Sequence, residues 1–284
     1  MPSVLIAQPT GFCSGVERAV RLARTALDKY GRVWTYGELV HNPDVLRELK
    51  KEGIRPLRQL ATIKNGALVI RAHGCPPAVL TECRARGIEI VDATCPYVRR
   101  VQNVAHRLAT EGYYVVVVGE KNHPEVRAIL AAAGENASVY RARFGKIPNS
   151  KKRLAKIGVV AQTTLDRHRL KEAVATLINF GYTEIRVFDT ICAEVTARQA
   201  ATARLAAQVE AVIVVGGKNS ANTTRLAEIV RQQGKPVAHI TGPAELKPGY
   251  WRRFRRVGVV AGASTPASVV AEVARILRNA GTHK

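Results

Sequence analysis

The chain is poor in aromatic residues and sulfur, and it has only half as many acids as bases. Its 284 residues include 5 Phe, 2 Trp, 8 Tyr, 1 Met and 5 Cys. No apolar run approaches the roughly 18 residues of a membrane-spanning helix. The apolar runs, such as 115–118 and 212–215, are short, the size of strands. The opening Met-Pro-Ser-Val-Leu-Ile-Ala-Gln lacks the basic segment and full apolar stretch of a secretion signal, so a cytoplasmic protein is expected. There is no Cys-x-x-Cys, which argues against a zinc ribbon or a thioredoxin site. The odd cysteine count and the expected compartment argue against a disulfide framework. No Gly-rich dinucleotide fingerprint with its acidic partner occurs, and Gly216-Gly217-Lys218-Asn219-Ser220 lacks the spacing of a phosphate-binding P-loop.

Acidic residues number 22 against 44 Lys and Arg, a net charge of +22. Such a field attracts acidic partners, either nucleic acid or an acidic electron carrier. The densest basic clusters are Lys151-Lys152-Arg153 and Arg252-Arg253-Phe254-Arg255-Arg256. With no basic-aromatic RNA motif beside them, charge alone does not make a nucleic-acid-binding protein. The apolar content of 46% supports a sizeable core, in about two domains or one large α/β unit.

A threefold repeat organises the chain once Cys13, Cys95 and Cys192 are set in register. Twenty residues after each begins a β-rich run, at 33–36, 115–118 and 212–215. Twenty-eight residues after each stands a polar loop residue, His41, His123 or Ser220, followed by a helical pattern. A second strand and loop then follow: residues 67–74, 158–164 and 258–264. Two of these segments lead through an Asp to the next cysteine, Asp92-Ala93-Thr94-Cys95 and Asp189-Thr190-Ile191-Cys192. Short strands alternating with helices predict an α/β fold of three related modules with small parallel sheets, spanning 1–95, 96–192 and 193–284. In such sheets ligands bind beyond the carboxyl ends of the strands, where all these polar residues fall.

Each register cysteine also opens a helical pattern, cleanest at Val16, Ala19, Val20, Ala23 and Leu27. A helix N-terminus favours the thiolate, the form that binds metal. Three thiolates with no fourth suit zinc or an iron–sulfur cluster, and a cluster with one open iron marks a catalytic centre. Cys75 and Cys83 lie out of register, and Cys83 reads as a core residue. The same register brings His41, His73, His123, Glu125, Gln162, Thr163, Ser220, Asn222 and Ser264 to one level. Neutral donors at helix N-termini form a phosphate site without a Gly-rich loop. An open iron, a phosphate pocket and a single Glu point to a reductase of a small phosphorylated molecule.

These residues are similar to those of a known family. Gly11-Phe12-Cys13-Ser14-Gly15-Val16, Val40-His41-Asn42, Ala72-His73-Gly74 and Asp92-Ala93-Thr94-Cys95-Pro96 carry the likeness. So do His123-Pro124-Glu125-Val126, Gln162-Thr163-Thr164, Lys218-Asn219-Ser220 and Ala261-Gly262-Ala263-Ser264. The chain resembles the 4-hydroxy-3-methylbut-2-enyl diphosphate reductases, the LytB family of the methylerythritol phosphate route to isoprenoids. The resemblance implies three modules, related by a pseudo-threefold, around a 4Fe–4S cluster held by Cys13, Cys95 and Cys192. It implies reductive loss of the allylic hydroxyl as water, giving isopentenyl and dimethylallyl diphosphate. Glu125 would deliver protons, with Thr163 and His123 in the relay. The diphosphate would be held by His41, His73, Ser220, Asn222 and Ser264, with His123 and Thr163 also at the substrate. Electrons would come from an acidic ferredoxin or flavodoxin, drawn by the basic surface.

Several positions depart from the family pattern. Glu194 and Val195 stand where Ala-Thr is usual after the third cysteine. Ala221 replaces a Ser, Arg71 replaces a Ser before His73, and Arg127-Ala128-Ile129-Leu130 replaces a Gly-rich turn. These departures define the alternative, a cluster enzyme of the same fold acting on another substrate. A basic nucleic-acid-binding protein is the third reading.

Overall fold

The computed structural model describes residues 2–57, 59–141 and 156–279, so the Lys151-Lys152-Arg153 cluster lies outside the described residues. The elements run β1 (Ser3–Ile6), α1 (Ser14–Tyr30), β2 (Val33–Tyr36), α2 (Pro43–Glu52), β3 (Ile54–Leu57), β4 (Ala67–Ile70), α3 (Pro77–Ala85) and β5 (Glu89–Asp92). They continue with α4 (Pro96–Thr110), β6 (Tyr114–Val118), α5 (Pro124–Ala133), β7 (Ala137–Val139), β8 (Lys156–Ala161), α6 (Arg167–Ile178) and β9 (Glu184–Phe188). The last are α7 (Ala193–Gln208), β10 (Ala211–Val215), α8 (Ala221–Gln232), β11 (Val237–Ile240), α9 (Pro248–Trp251), β12 (Arg256–Ala261) and α10 (Ala267–Asn279). The helices α1, α4 and α7 begin directly after Cys13, Cys95 and Cys192, as the apolar spacing predicts.

The strands form three four-stranded parallel sheets, ordered β1-β12-β10-β11, β5-β4-β2-β3 and β9-β8-β6-β7. Written this way, the three orders are one topology repeated. In each, the edge strand that leads to a register cysteine pairs with the strand before the second polar loop. The pairs are Ile6 with Val259, Ile70 with Asp92, and Val160 with Phe188. The short N-terminal strand β1 thus belongs to the sheet whose other strands come from residues 211–261.

Central strands of parallel sheets are covered on both faces, so they are apolar throughout rather than alternating. Residues 115–118 and 212–215 are all buried. The sheet containing β10 has one core of Ile213, Val215, Val257 and Val259 and another of Val212, Val214, Leu226 and Val260. The sheet containing β6 likewise has Val115, Val117 and Ile129 on one face and Val116, Ile157 and Val159 on the other. Cys83 is fully buried beside Leu68 and Ile70, a core residue as expected. Cys75 shares that core, and burial pushes its thiol up to about 12, so it stays protonated and inert.

The chain forms two compact units. One comprises Met1–Val20, Glu38–Arg55 and Ala193–Lys284, and the other Arg21–Gly37 and Pro56–Cys192. The first contains the β10 sheet; the second contains the β6 sheet.

Candidate active site

The repeat shows most directly in the backbone bonds of the register cysteines. The Cys95 N–H donates to the Ala72 carbonyl at 3.0 Å, and the Cys192 N–H to the Thr163 carbonyl at 2.9 Å. Within the first unit the Cys13 N–H donates to the Ala263 carbonyl at 3.0 Å. Ala72, Thr163 and Ala263 are equivalent positions just past β4, β8 and β12. Each sheet therefore fixes its cysteine to the loop that carries its polar residue. None of the three cysteines forms a disulfide, and all are half-buried. Backbone N–H groups of the following helix turn toward sulfur: Val16 to Cys13 Sγ at 3.4 Å, and Tyr97 and Val98 to Cys95. At Cys95 burial outweighs these donors and holds the thiol above its ordinary range, so the thiolate that the helix N-terminus favours is not reached by the protein alone.

In the second unit, Glu125, Thr163 and His123 come together. Glu125 lies in the first turn of α5, only 1% exposed. Its carboxylate accepts the Thr163 N–H at 2.6 Å and the Thr163 hydroxyl at 2.9 Å. Thr163 is the residue whose carbonyl holds Cys192, so the carboxyl and that thiol are one residue apart in the bonding pattern. Burial raises the Glu125 pKa to about 7, because an apolar surround disfavours the carboxylate more than the two Thr163 bonds favour it. His123 caps α5 and accepts the Glu125 N–H through Nδ1 at 3.2 Å. The His73 ring lies edge-on to His123, with centroids 5.2 Å apart. Gln162 braces the loop, accepting the Glu120 N–H at 2.9 Å and donating to the Thr164 hydroxyl at 2.8 Å.

In the first unit, Ser220 caps α8, its hydroxyl accepting the Thr223 N–H at 3.3 Å. Asn222 stands in the first turn of that helix, 4% exposed, and neither polar atom of its amide has a partner among the described residues. A buried amide left open at a helix N-terminus is costly unless a ligand completes it. An anion there would also meet the helix dipole and free N–H groups. His41 precedes the cap of α2 rather than forming it. Asn42 does the capping, accepting the Asp44 N–H at 3.0 Å and the Val45 N–H at 3.3 Å. His41 Nδ1 lies 3.7 Å from the Glu38 carboxylate. The His41 carbonyl approaches Gly217 so closely that a Cβ there would meet it at 2.1 Å, so only glycine fits. Ser264 is half-buried and follows the Ala263 carbonyl that holds Cys13.

Two functional contacts escape a reading of the sequence. The guanidinium of Arg198, 3% exposed on α7, donates to the carbonyls of Gly11 at 2.9 Å and Pro9 at 3.2 Å, with Ala261 at 3.5 Å. It thereby pins the loop that ends in Cys13. The signal was present: Val195, Arg198, Thr202 and Leu205 make one buried helical stripe, with Arg in the middle. Replacing Arg198 by Met leaves those carbonyls without a donor. The expected loss is about 3 kcal/mol of unfolding free energy, read by chemical denaturation. A loss below about 1 kcal/mol would show that the loop holds itself.

The second is Glu194. Its carboxylate accepts the Ser14 N–H at 3.2 Å and also the Ser14 hydroxyl. The departure after Cys192 is therefore an acid at the N-terminus of α1, where the helix dipole favours it. Val195 beside it is buried. Ala221 is simply the first residue of α8. Nothing in the structure explains why it replaces a hydroxyl.

Comparison with known proteins agrees with this arrangement. Residues 4–278 match the family described as LytB protein. The 4-hydroxy-3-methylbut-2-enyl diphosphate reductase of Geotalea uraniireducens is 42% identical over 270 residues, 95% of each chain. That of Aquifex aeolicus is 39% identical over 276 residues, covering 96% of this chain and 95% of the relative. The solved structure of (E)-4-hydroxy-3-methyl-but-2-enyl diphosphate reductase, the terminal enzyme of the non-mevalonate pathway, superposes with a TM-score of 0.74. It is 37% identical and covers 98% of this chain and 100% of its own. The Plasmodium falciparum E-1-hydroxy-2-methyl-but-2-enyl-4-diphosphate reductase gives a TM-score of 0.89 at 26% identity, covering 98% and 88%. The chain belongs to the LytB family.

Proposed function

We propose that this protein reduces 4-hydroxy-3-methylbut-2-enyl diphosphate to isopentenyl and dimethylallyl diphosphate. The balance is one allylic alcohol, two electrons and two protons in, and one alkene and one water out. Relatives sharing about 40% of their residues over nearly the whole length carry this activity in their names. The observation that carries the reading is Glu125: a buried carboxyl, poised to hold a proton near neutrality, bonded to the residue that fixes Cys192.

The LytB family uses a 4Fe–4S cluster. The donor set fits it: three thiols outside any disulfide, each immediately before a helix, with backbone N–H groups turned to sulfur at Cys13 and Cys95. Cys13, Cys95 and Cys192 would hold the cluster. When bound, it supplies electrons and a Lewis-acidic iron for a leaving oxygen.

Everything else falls to the chain's own side chains. Glu125 holds a proton at Oε1 or Oε2 and passes it to the departing hydroxyl, with the Thr163 hydroxyl fixing the carboxyl's orientation. His123, through its bond to the Glu125 N–H, sets the first turn of α5. The α8 N-terminus with Ser220 and Asn222, together with His41, His73 and Ser264, binds the diphosphate. Binding energy from that remote group positions the alcohol for reduction. The three-module organisation, at 1–95, 96–192 and 193–284, is part of this reading, as is a one-electron donor of acidic character. A reducing cytoplasm would keep the five cysteines out of disulfides. No described helix is long and apolar enough to cross a membrane.

The test is anaerobic turnover of 4-hydroxy-3-methylbut-2-enyl diphosphate by cluster-loaded protein with dithionite as reductant. Isopentenyl and dimethylallyl diphosphate are the expected products. No turnover, with iron and sulfide content confirmed, would overturn the substrate assignment and favour a cluster enzyme of another specificity.

A further inference from the structure

The reaction proposed above consumes two electrons in every turnover, and a sustained supply of them enters from outside the chain. A partner must therefore dock within reach of the thiols, and the second unit offers one surface suited to it. Helix α4 starts at Pro96, the residue after Cys95, and β9 ends at Phe188, four residues before Cys192. Between them lies an open groove of about 590 Å³, lined chiefly by Pro96, Arg99, Arg100, Asn103, Arg107 and Phe188. Positions 96, 100, 103 and 107 form one stripe of α4. The lining contains three cations and no acid.

The side chains of this groove are arranged for docking. Arg99 is bonded to Asp92 at the end of β5. Arg107 lies 3.8 Å from Glu111 and stacks over the Phe188 ring at 5.4 Å. Those contacts hold two guanidiniums at the edges of an apolar floor. Arg100 is exposed and has no ion pair among the described residues. A charged rim around a small apolar centre is the surface of a transient, electrostatically steered complex.

Its location selects among acidic partners. The two walls of the groove lead directly into Cys95, one residue before Pro96, and Cys192, four residues after Phe188. A nucleic acid gains nothing from that proximity; an electron donor requires it.

We propose that the groove between α4 and the end of β9 is the docking site of a small acidic one-electron carrier protein. This inference rests on the reductase reading. Two reduced carriers dock in turn; each is oxidised by one electron, and the pair supplies the two electrons that leave with the alkene and water.

The experiment titrates the cluster-loaded protein anaerobically with an acidic ferredoxin, comparing Arg100→Glu and Arg100→Glu/Arg107→Gln with the unmodified chain. The measurements are the dissociation constant, its salt dependence, and turnover driven by ferredoxin against turnover driven by dithionite. The expected result is binding weakened about tenfold or more with a shallower salt dependence, while iron content and dithionite-driven turnover are unchanged. Unchanged ferredoxin affinity in both variants overturns the proposal, as does equal weakening by charge reversal at Arg252 and Arg253. Failure of dithionite turnover in the unmodified protein would instead sink the reductase reading, and the binding titration reports independently of it.

Discussion

Replacing Glu125 by Gln lowers turnover about 10²–10⁴-fold while iron and sulfide content stay at the unmodified level. The side chains are nearly isosteric, and Gln still accepts the Thr163 N–H at the position Glu125 uses at 2.6 Å. What disappears is the transferable proton. The Glu125 carboxyl is raised to about 7 by burial, so at neutral pH a large fraction is protonated and ready to give. Turnover limited by that proton falls as pH rises through about 7, and this limb of the profile is absent from the Gln variant. Stability follows the same sign. The folded pKa lies above the unfolded value of 4.5, so the folded state holds the proton more tightly. That contribution is complete below pH 4.5 and is lost as pH rises through about 7. Over the whole window it amounts to roughly 3 kcal/mol. Urea melts between pH 5 and 8 read the slope, which flattens in Glu125→Gln. A Gln variant with full turnover would move the proton source elsewhere.

The repeat was legible because three independent offsets agree in the sequence. The strands at 33–36, 115–118 and 212–215, the loops at His123 and Ser220, and the helices after each register cysteine all follow from period and spacing. His41 shows the limit of counting. The same offset lands one residue short of the α2 cap, because Asn42 followed by Pro43 starts that helix better. The partner of β1 was not legible. Four residues, Ser-Val-Leu-Ile, pair equally well with any apolar strand, and a parallel pairing of Ser3 with Arg256, from opposite ends of the chain, leaves no local mark. The roles of Arg198 and Glu194 were hidden for a related reason. A charged residue in a helix reads as solvent-facing until the fold brings carbonyls or a bare helix N-terminus against it. Asn222 is the converse case. The register singled out its position, and the structure adds that its amide is buried and open.

Replacing Cys95 by Ser abolishes bound iron and, with it, turnover, without unfolding the chain. The backbone at this position has its own work: Cys95 N–H to the Ala72 carbonyl at 3.0 Å, and the Arg99 N–H to the Cys95 carbonyl at 2.9 Å. Neither bond involves sulfur, so β5, the loop and the start of α4 keep their places, and the far-ultraviolet circular dichroism is unchanged. The side chain's work is different. Half-buried sulfur accepts N–H groups from Tyr97 and Val98, which favour the thiolate, while burial and the nearby Cys192 and Glu125 oppose it. Metal binding resolves that opposition by replacing the proton. A hydroxyl is a hard ligand that stays protonated at neutral pH and offers no comparable bond to iron. Iron and sulfide per chain, with the visible absorbance of the reconstituted protein, measure the loss. Cys75→Ser supplies the control. Its thiol is held protonated in the core with Leu68 and Ile70, so that variant keeps its iron and loses only packing. Full iron in Cys95→Ser together with depleted iron in Cys75→Ser would exchange the roles of the two residues, and the threefold register would then fail as a guide to the site.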